Sequence, residues 1–339
     1  MKPTVNDIAR HAGVSLATVD RVLNERPGVR TVTIERVTRA VSELGYIRDT
    51  AAANLARRRI YKFVFLIPDT SEEFFDALQV QINAQSGALI NDRTDIKTLR
   101  VSNFDSREIV LALDKLCEKN TDGVAVIAPE TPGVRDAVTR TRARGIAVVA
   151  LLTDLPSSPR DHFVGVDNRL AGKTAAKLMG RFNHAKQGRV LVLMSSRLAR
   201  DHLERRHGFD EVMEQQFPHL HVLPSIEVKD DKELVERILP AVFDASTNLC
   251  GIYSTSSGNT GLINFLSNRA NNQIVVSHEL TPSSRTALKR GVFDAVISQD
   301  TGRIVRSAVR LMRSTVDEVP FNPMQEKIRI EIFLKENLP

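Results

Sequence analysis

Along the first 60 residues apolar side chains return every three or four positions. VNDIARHA, SLATVDRVLN and TIERVTRAVSELG each lay them in one helical stripe, and no strand-like alternation interrupts them, which predicts short helices throughout. From Tyr61 onward the texture changes. Runs of strand length, KFVFLIPD, IKTLRVS, GVAVIAP, IAVVALL, HFVGVD, RVLVLMS, HVLPSIEV, LCGIYST, QIVVSHE and DAVISQD, alternate with amphipathic stretches of helix length. Near-continuous apolar strands separated by helices specify βαβ units, whose parallel sheet is covered on both faces. About ten strands are more than one small sheet usually holds, so two Rossmann-like lobes are expected. The fold class is α/β, preceded by an all-α N-terminal part.

The helical end carries its own punctuation. Thr4 is placed to cap a helix from Val5, with Asp7 reaching back to the cap and Ile8, Ala9 and Ala12 forming its buried face. Gly13 permits a left-handed turn, after which Ser15 caps a second helix that turns Val19, Val22 and Leu23 inward. Short helices about a glycine turn read as a helix-turn-helix. The start of its second helix then enters a major groove. Leu16, Ala17 and Arg21 face base edges there, while Ser15, Thr18 and Asn24, with Thr4, complete the DNA-facing set. The helix pattern alone also fits an ordinary three-helix bundle. Charge speaks for the nucleic-acid reading: of 47 Lys/Arg and 41 Asp/Glu in the chain, residues 1–60 hold 11 and six, and the remainder nearly cancel. A double-stranded DNA partner is therefore expected.

With 339 residues the chain is long enough for more than one folding unit, and 42% hydrophobic against 26% charged residues excludes a disordered chain. No apolar run approaches a bilayer span, and MKPTVNDIARHAG lacks the apolar stretch of a signal peptide, so a cytoplasmic protein with no membrane attachment is expected. Cys117 and Cys250 are too few for a disulfide framework or a Cys-rich zinc site, and they read as buried core thiols. Neither a metal nor a cofactor is expected.

In open α/β sheets ligands sit beyond the carboxyl ends of strands. Polar and aromatic residues gather at those ends here: Phe74-Phe75, Glu130, Asp154, Asp167-Asn168, Ser254-Thr255-Ser256, His278-Glu279 and Gln299-Asp300, with Arg205 in the helix after VLVLMSS. A sugar or polyol needs apolar faces for its C–H surfaces and paired polar groups for its hydroxyls, and this set offers both. Taken singly, each residue has a plainer explanation. Phe74-Phe75 can be helix core, a strand-end Asp or Asn a helix cap, Arg205 a surface charge and His278 a satisfied core histidine; Asn168 and Thr281 are good caps in their own right. Recurrence at one sheet edge favours a ligand set of Phe74, Phe75, Glu130, Asp167, Arg205, Thr255, Glu279 and Gln299.

Residues 4–59, with the AGVS turn, TVDRVLN, a third helix ending in ELGY and the hinge pattern AANLARRR, resemble the headpiece of the lactose/galactose-repressor (LacI-type) family. The resemblance implies that Leu16, Ala17 and Arg21 read bases. It also implies that residues 50–58 fold as a helix in the minor groove with Leu55 wedged between base pairs, which would bring Arg57, Arg58 and Arg59 to phosphates. Asp20, where the family often has Ser, and Arg48-Asp49, where a Pro-Asn-type pair is frequent, leave the operator sequence open. FLIPDTSEEFFDAL, GVAVIAP, VGVDNRLAGKTAA, ERRHGF, SSGNTGLINFL and VISQD are similar to ribose-binding-type periplasmic receptors and the sensor halves of related repressors. That similarity implies a type I periplasmic-binding-protein fold in which the chain crosses between lobes more than once. It implies Phe74-Phe75 against a ring, Arg205 and Asp167 on hydroxyls, and Glu279 and Gln299 closing the site from the second lobe. Leu152-Thr153 stands where sugar-binding relatives often have Asp-Arg, so the identity of the ligand does not follow.

These readings divide the chain into a headpiece over 1–49, a hinge helix and linker over 50–60, and an effector-binding and dimerisation domain over 61–339. The expected protein is not an enzyme but a sequence-specific DNA-binding transcriptional regulator, a repressor. It acts as a homodimer on a pseudo-palindromic operator, controlled by a sugar, polyol or sugar derivative. The alternatives are a regulator answering to a purine or a phosphoprotein corepressor, and a solute-binding receptor. Enzyme motifs fail. GVDNRLAGKT separates Gly165 from Gly172 by six residues where a phosphate loop has about four, and no Gly-x-Gly-x-x-Gly, Gly-x-Ser-x-Gly or His-Glu-x-x-His occurs.

Overall fold

The computed structural model describes residues 3–23, 27–46, 59–89, 92–102, 105–183, 187–269 and 272–339. Asn24, Leu55 and Arg57 lie outside the described residues, as does most of the expected hinge. The chain divides into two compact units, Met1–Arg59 and Ile60–Pro339.

The small unit holds helices α1 (Val5–Ala12), α2 (Leu16–Leu23) and α3 (Thr31–Glu43). Thr4 caps α1 reciprocally: its hydroxyl accepts from the Asp7 N–H at 3.4 Å, and Asp7 Oδ2 accepts from the Thr4 N–H at 2.9 Å. Gly13 ends α1 at φ +62°, a conformation a side chain resists. Ser15 then accepts the Thr18 N–H at 3.1 Å and so starts α2. Ile8, Ala9, Ala12, Val19, Val37 and Ala40 meet in one small core, and His11 joins Glu43 of α3 at 2.8 Å.

The first lobe of the large unit alternates β1 (Tyr61–Asp69), α4 (Glu73–Leu89), β2 (Thr94–Ser102), α5 (Ser106–Lys115), β3 (Gly123–Val126), α6 (Pro132–Ala143), β4 (Ala147–Leu151) and β5 (His162–Val164). Its strands form a parallel sheet in the order β2-β1-β3-β4-β5. The unbroken apolar run of β1 now has its reason: Phe63, Phe65 and Ile67 enter one core while Val64 and Leu66 enter the other, on the opposite sheet face.

The second lobe contains α7 (Asn168–Phe182), β6 (Gly188–Met194), α8 (Arg200–Gln216), β7 (Leu220–Val222), β8 (Ile226–Glu227), α9 (Lys232–Ala245), β9 (Leu249–Ser254), α10 (Thr260–Ser267), β10 (Ile274–His278), α11 (Pro282–Lys289) and β11 (Ala295–Ser298). After it come α12 (Thr301–Asp317), α13 (Pro323–Glu326) and β12 (Glu331–Phe333). The second sheet runs β12-β11-β10-β9-β6-β7, with β8 beside β6 and only β12 antiparallel. α12 returns to the first lobe, where Ile304, Val305, Ala308 and Met312 share the core of Phe63 and Phe65. The chain therefore crosses between lobes ahead of α7, ahead of α12 and ahead of β12.

The structure corrects the sequence reading at several points. HVLPSIEV is not one strand: the chain breaks around Pro224 into β7 and β8, each paired with a different stretch of β6. β12 went unread because it is three residues long, a short antiparallel edge with Glu331 and Ile332 exposed. Cys117 is exposed, since it sits in the turn after α5 where the amphipathic period has ended, and Cys250 is only half-buried, its thiol donating to the Arg189 carbonyl at 3.4 Å. No described helix is long and apolar enough to cross a membrane.

Candidate ligand cleft and nucleic-acid interface

Loops beyond the strand ends of both lobes line one narrow cavity of about 60 Å³. The first lobe contributes Glu72, Phe74 and Phe75 after β1, Ile127 after β3, and Leu152 and Thr153 after β4. Phe74 is buried, and its ring meets that of Phe75 edge to face with centroids 5.4 Å apart, which leaves an aromatic wall. The second lobe contributes Asp201, His202 and Arg205 of α8, Asp230 after β8, Ser257 after β9, Glu279 after β10 and Gln299 after β11.

Arg205 is the centre of the polar wall. Its Nε donates to Asn168 Oδ1 at 2.9 Å and Nη1 to the Thr255 carbonyl at 2.7 Å, while Nη2 lies 3.5 Å from Glu279 Oε1. Gln299 Nε2 donates to the same Glu279 oxygen at 2.9 Å. Burial pushes the Glu279 carboxyl above its ordinary range, and the Arg205 charge opposes that rise. Glu279 Oε2 and Gln299 Oε1 remain closed off from solvent with no hydrogen-bond partner. The backbone aims these groups at some cost, for Leu152 and Glu279 take φ of +63° and +65°. α8 itself is seated by a close helix crossing. A Cβ on Gly172 of α7 would collide with the Arg205 carbonyl, and one on Gly208 with the Arg169 carbonyl.

Of the predicted ligand set, Phe74, Phe75, Arg205, Glu279 and Gln299 meet at this cavity, and Thr255 reaches it through the carbonyl that holds Arg205. Glu130 and Asp167 do not. Glu130 accepts the Ser157 N–H at 2.7 Å and pairs with Arg200 of the other lobe at 2.9 Å, so its carboxylate is a bridge between lobes. Asp167 is exposed and caps α7 by accepting the Leu170 N–H at 2.9 Å. Asp154 pairs with Arg160. His278 is a satisfied core residue, bonded to the Tyr253 hydroxyl at 2.9 Å and kept neutral by burial. Asn168 is no cap; its amide clamps Arg205 to the Leu152 carbonyl at the crossing between lobes.

Glu72, Asp201, His202, Asp230 and Ser257 went unread. Glu72 was within reach, lying immediately before α4 and two positions ahead of Phe74, and Asp201 and His202 sit one helical turn before Arg205 on its own face. Asp230 gave no signal, because the strand preceding it is two residues long. The Ser257 hydroxyl donates to Glu72 Oε2 at 2.5 Å from the opposite lobe. Burial and the neighbouring Asp230 carboxylate push the Glu72 carboxyl up to about 8.

In the small unit α2 leaves Leu16, Ala17 and Arg21 exposed while Val19 is fully buried, so one face of the helix is free of the core. Leu16 is 50% exposed, an apolar side chain held out where a thymine methyl could receive it. The Ser15 and Thr18 hydroxyls lie 2.9 Å apart at the helix start, and Thr4 is engaged in its cap with Asp7.

Residues 4–49 match the model of the lacI family of bacterial regulatory proteins, and residues 63–318 that of a periplasmic binding protein domain. Over 217 residues the chain is 25% identical to the HTH-type transcriptional regulator DegA of Bacillus subtilis (strain 168), covering 63% of this chain and 62% of that protein. It is 36% identical over 124 residues to the HTH-type transcriptional regulator RegA of Clostridium saccharobutylicum, covering 37% and 36%. The matched stretches span less than two thirds of these relatives' length. Among solved structures, an ABC transporter solute-binding protein from Burkholderia graminis C4D1M, in complex with D-arabinose, has a TM-score of 0.73 at 21% identity, covering 82% of this chain and 96% of that one, a likeness of fold alone. With residues 63–318 matched by one model and the N-terminal helices by the other, the chain belongs to the periplasmic binding protein domain family over most of its length, and its N-terminal part is similar to the lacI family of bacterial regulatory proteins.

Proposed function

We propose that this protein is a sequence-specific DNA-binding transcriptional regulator, a repressor, that works as a cytoplasmic homodimer and whose operator affinity is set by a sugar-class ligand held between its lobes. The cleft carries this reading. An aromatic pair stands beside a buried chain of guanidinium, carboxylate and amide with acceptors still open, which suits a ring with apolar C–H faces and hydroxyl edges. The transcriptional regulators among its relatives and the D-arabinose complex of its fold neighbour support the same assignment. Leu16, Ala17 and Arg21 would read bases, and Ser15, Thr18 and Thr4 would lie along phosphates. A ligand that prefers one arrangement of the lobes shifts the population toward it, and that shift is the means of control. No feature of the cleft favours a purine or a phosphoprotein corepressor, and the headpiece match weighs against a transport receptor.

Melting curves of the purified protein with a panel of monosaccharides and polyols test the proposal. A true ligand at about 100 times its dissociation constant adds about 2.7 kcal/mol of stability, a plain rise in melting temperature. The same ligand should change gel-shift affinity for a palindromic duplex selected by the protein. A melt unmoved by every sugar and polyol would remove the sugar-class assignment.

A further inference from the structure

The cleft carries more acid than a neutral sugar requires. Four carboxyl side chains line it, Glu72, Asp201, Asp230 and Glu279, against the single guanidinium of Arg205 and the imidazole of His202. Arg205 is committed to Glu279, Asn168 and Thr255. Glu72 from the first lobe and Asp230 from the second therefore confront one another, and among the described residues no Lys or Arg pairs with either. Asp230 Oδ1 is closed off from water without a hydrogen-bond partner. Deeper in the same cavity Glu279 and Gln299, each 4% exposed, hold one unpartnered acceptor apiece. Of the unpartnered polar atoms described on the cavity wall three are acceptors, and the fourth, the Thr153 hydroxyl, can both donate and accept, so the missing partner supplies mostly donors.

We propose that the ligand of this cleft carries a protonated amine, as an amino sugar or amino polyol does, seated between Glu72 and Asp230 while its hydroxyls donate to Glu279 Oε2 and Gln299 Oε1. The inference rests on the reading of the cleft as the effector site. A hydroxyl can satisfy one carboxylate but neutralises neither. An ammonium offers three donors and a charge, and between carboxylates of opposite lobes it turns a repulsion into a bridge that draws the lobes together. Without such a cation Glu72 keeps a proton to about 8, which is the cleft's own way of relieving the contact.

Calorimetric titration of the full-length protein at neutral pH decides the matter. D-glucosamine, D-galactosamine, D-mannosamine and D-glucamine are each compared with glucose, galactose, mannose and sorbitol. At least one amine is expected to bind about tenfold or more tightly than its hydroxyl parent, the scale of a charge-assisted pair. Asp230→Asn and Glu72→Gln should each reduce that preference to near unity. Parents that bind as well as amines, or a preference untouched in both variants, overturn the inference and leave the sugar-class reading in place. Silence from amines and parents alike overturns both. Above about pH 8, where Glu72 has lost its proton, each variant removes a like-charge contact, so its unliganded melting temperature there should equal or exceed that of the natural protein.

Discussion

Arg205 gives three of its five N–H donors to Asn168, Thr255 and Glu279, and this sets what its removal does. Arg205→Ala leaves Glu279 buried without its counter-charge and Asn168 without its donor, a loss of about 3–5 kcal/mol for breaking one side of a buried pair. The unliganded melting temperature should fall, and the further rise produced by ligand should vanish; a variant that still melts higher with ligand would place Arg205 outside the binding site. Glu72 makes a prediction about pH. Its carboxyl ionises near 4.5 in the unfolded chain and is held up to about 8 in the fold, so between those values the folded state binds more protons. Stability therefore falls as pH rises through that window. Glu72→Gln should flatten the decline in melting temperature across it. Glu279, raised by its own burial, keeps part of the slope in the variant.

At the scale of elements, the crossing of α7 and α8 shows a glycine whose meaning in the sequence was ambiguous. Gly172 is the second glycine of GVDNRLAGKT, a string that resembles a phosphate loop with the wrong spacing, yet it serves as the flat spot on which the backbone of Arg205 rests. Gly172→Ala forces the helices apart and should cost about 1–3 kcal/mol, as overpacking does, with ligand affinity falling because Arg205 moves with α8. Gly87 in α4 is the contrast: nothing lies within 4 Å of an added Cβ, so Gly87→Ala should hold or raise stability by up to about 1 kcal/mol. Melting curves of the two variants, measured side by side, separate close packing from helix propensity. The same scale explains what the hydrophobic pattern missed. A strand as short as β8 or β12 contains too few residues for periodicity to register, so the loop that brings in Asp230 was invisible.

For the whole molecule, the expectation at Leu55 rests on sequence, since that residue lies outside those described. Leu55→Ala should weaken binding to operator more than binding to random duplex, because Arg57, Arg58 and Arg59 keep their sequence-independent attraction to phosphates. Gel-shift titrations on both duplexes at one salt concentration measure the difference, and equal losses would mean that Leu55 does not read the operator. The sequence by itself determined the helical N-terminal part with its Thr4 cap and Gly13 turn, the run of parallel βα units, and the strand ends as the place to look for a ligand. Each of these depends on residues within a few positions of one another, where spacing and conformation are tightly linked. Only the tertiary structure decided which strand-end groups meet. Glu130 and Asp167 occupy positions equivalent to those of Glu279 and Gln299, but Arg200 claims the first from the opposite lobe and the start of α7 claims the second. Ser257 reaches Glu72 across 185 residues of chain. A carboxylate is satisfied by whichever donor the fold delivers to it, and that delivery depends on how two separate sheets close over one another, which no local pattern encodes.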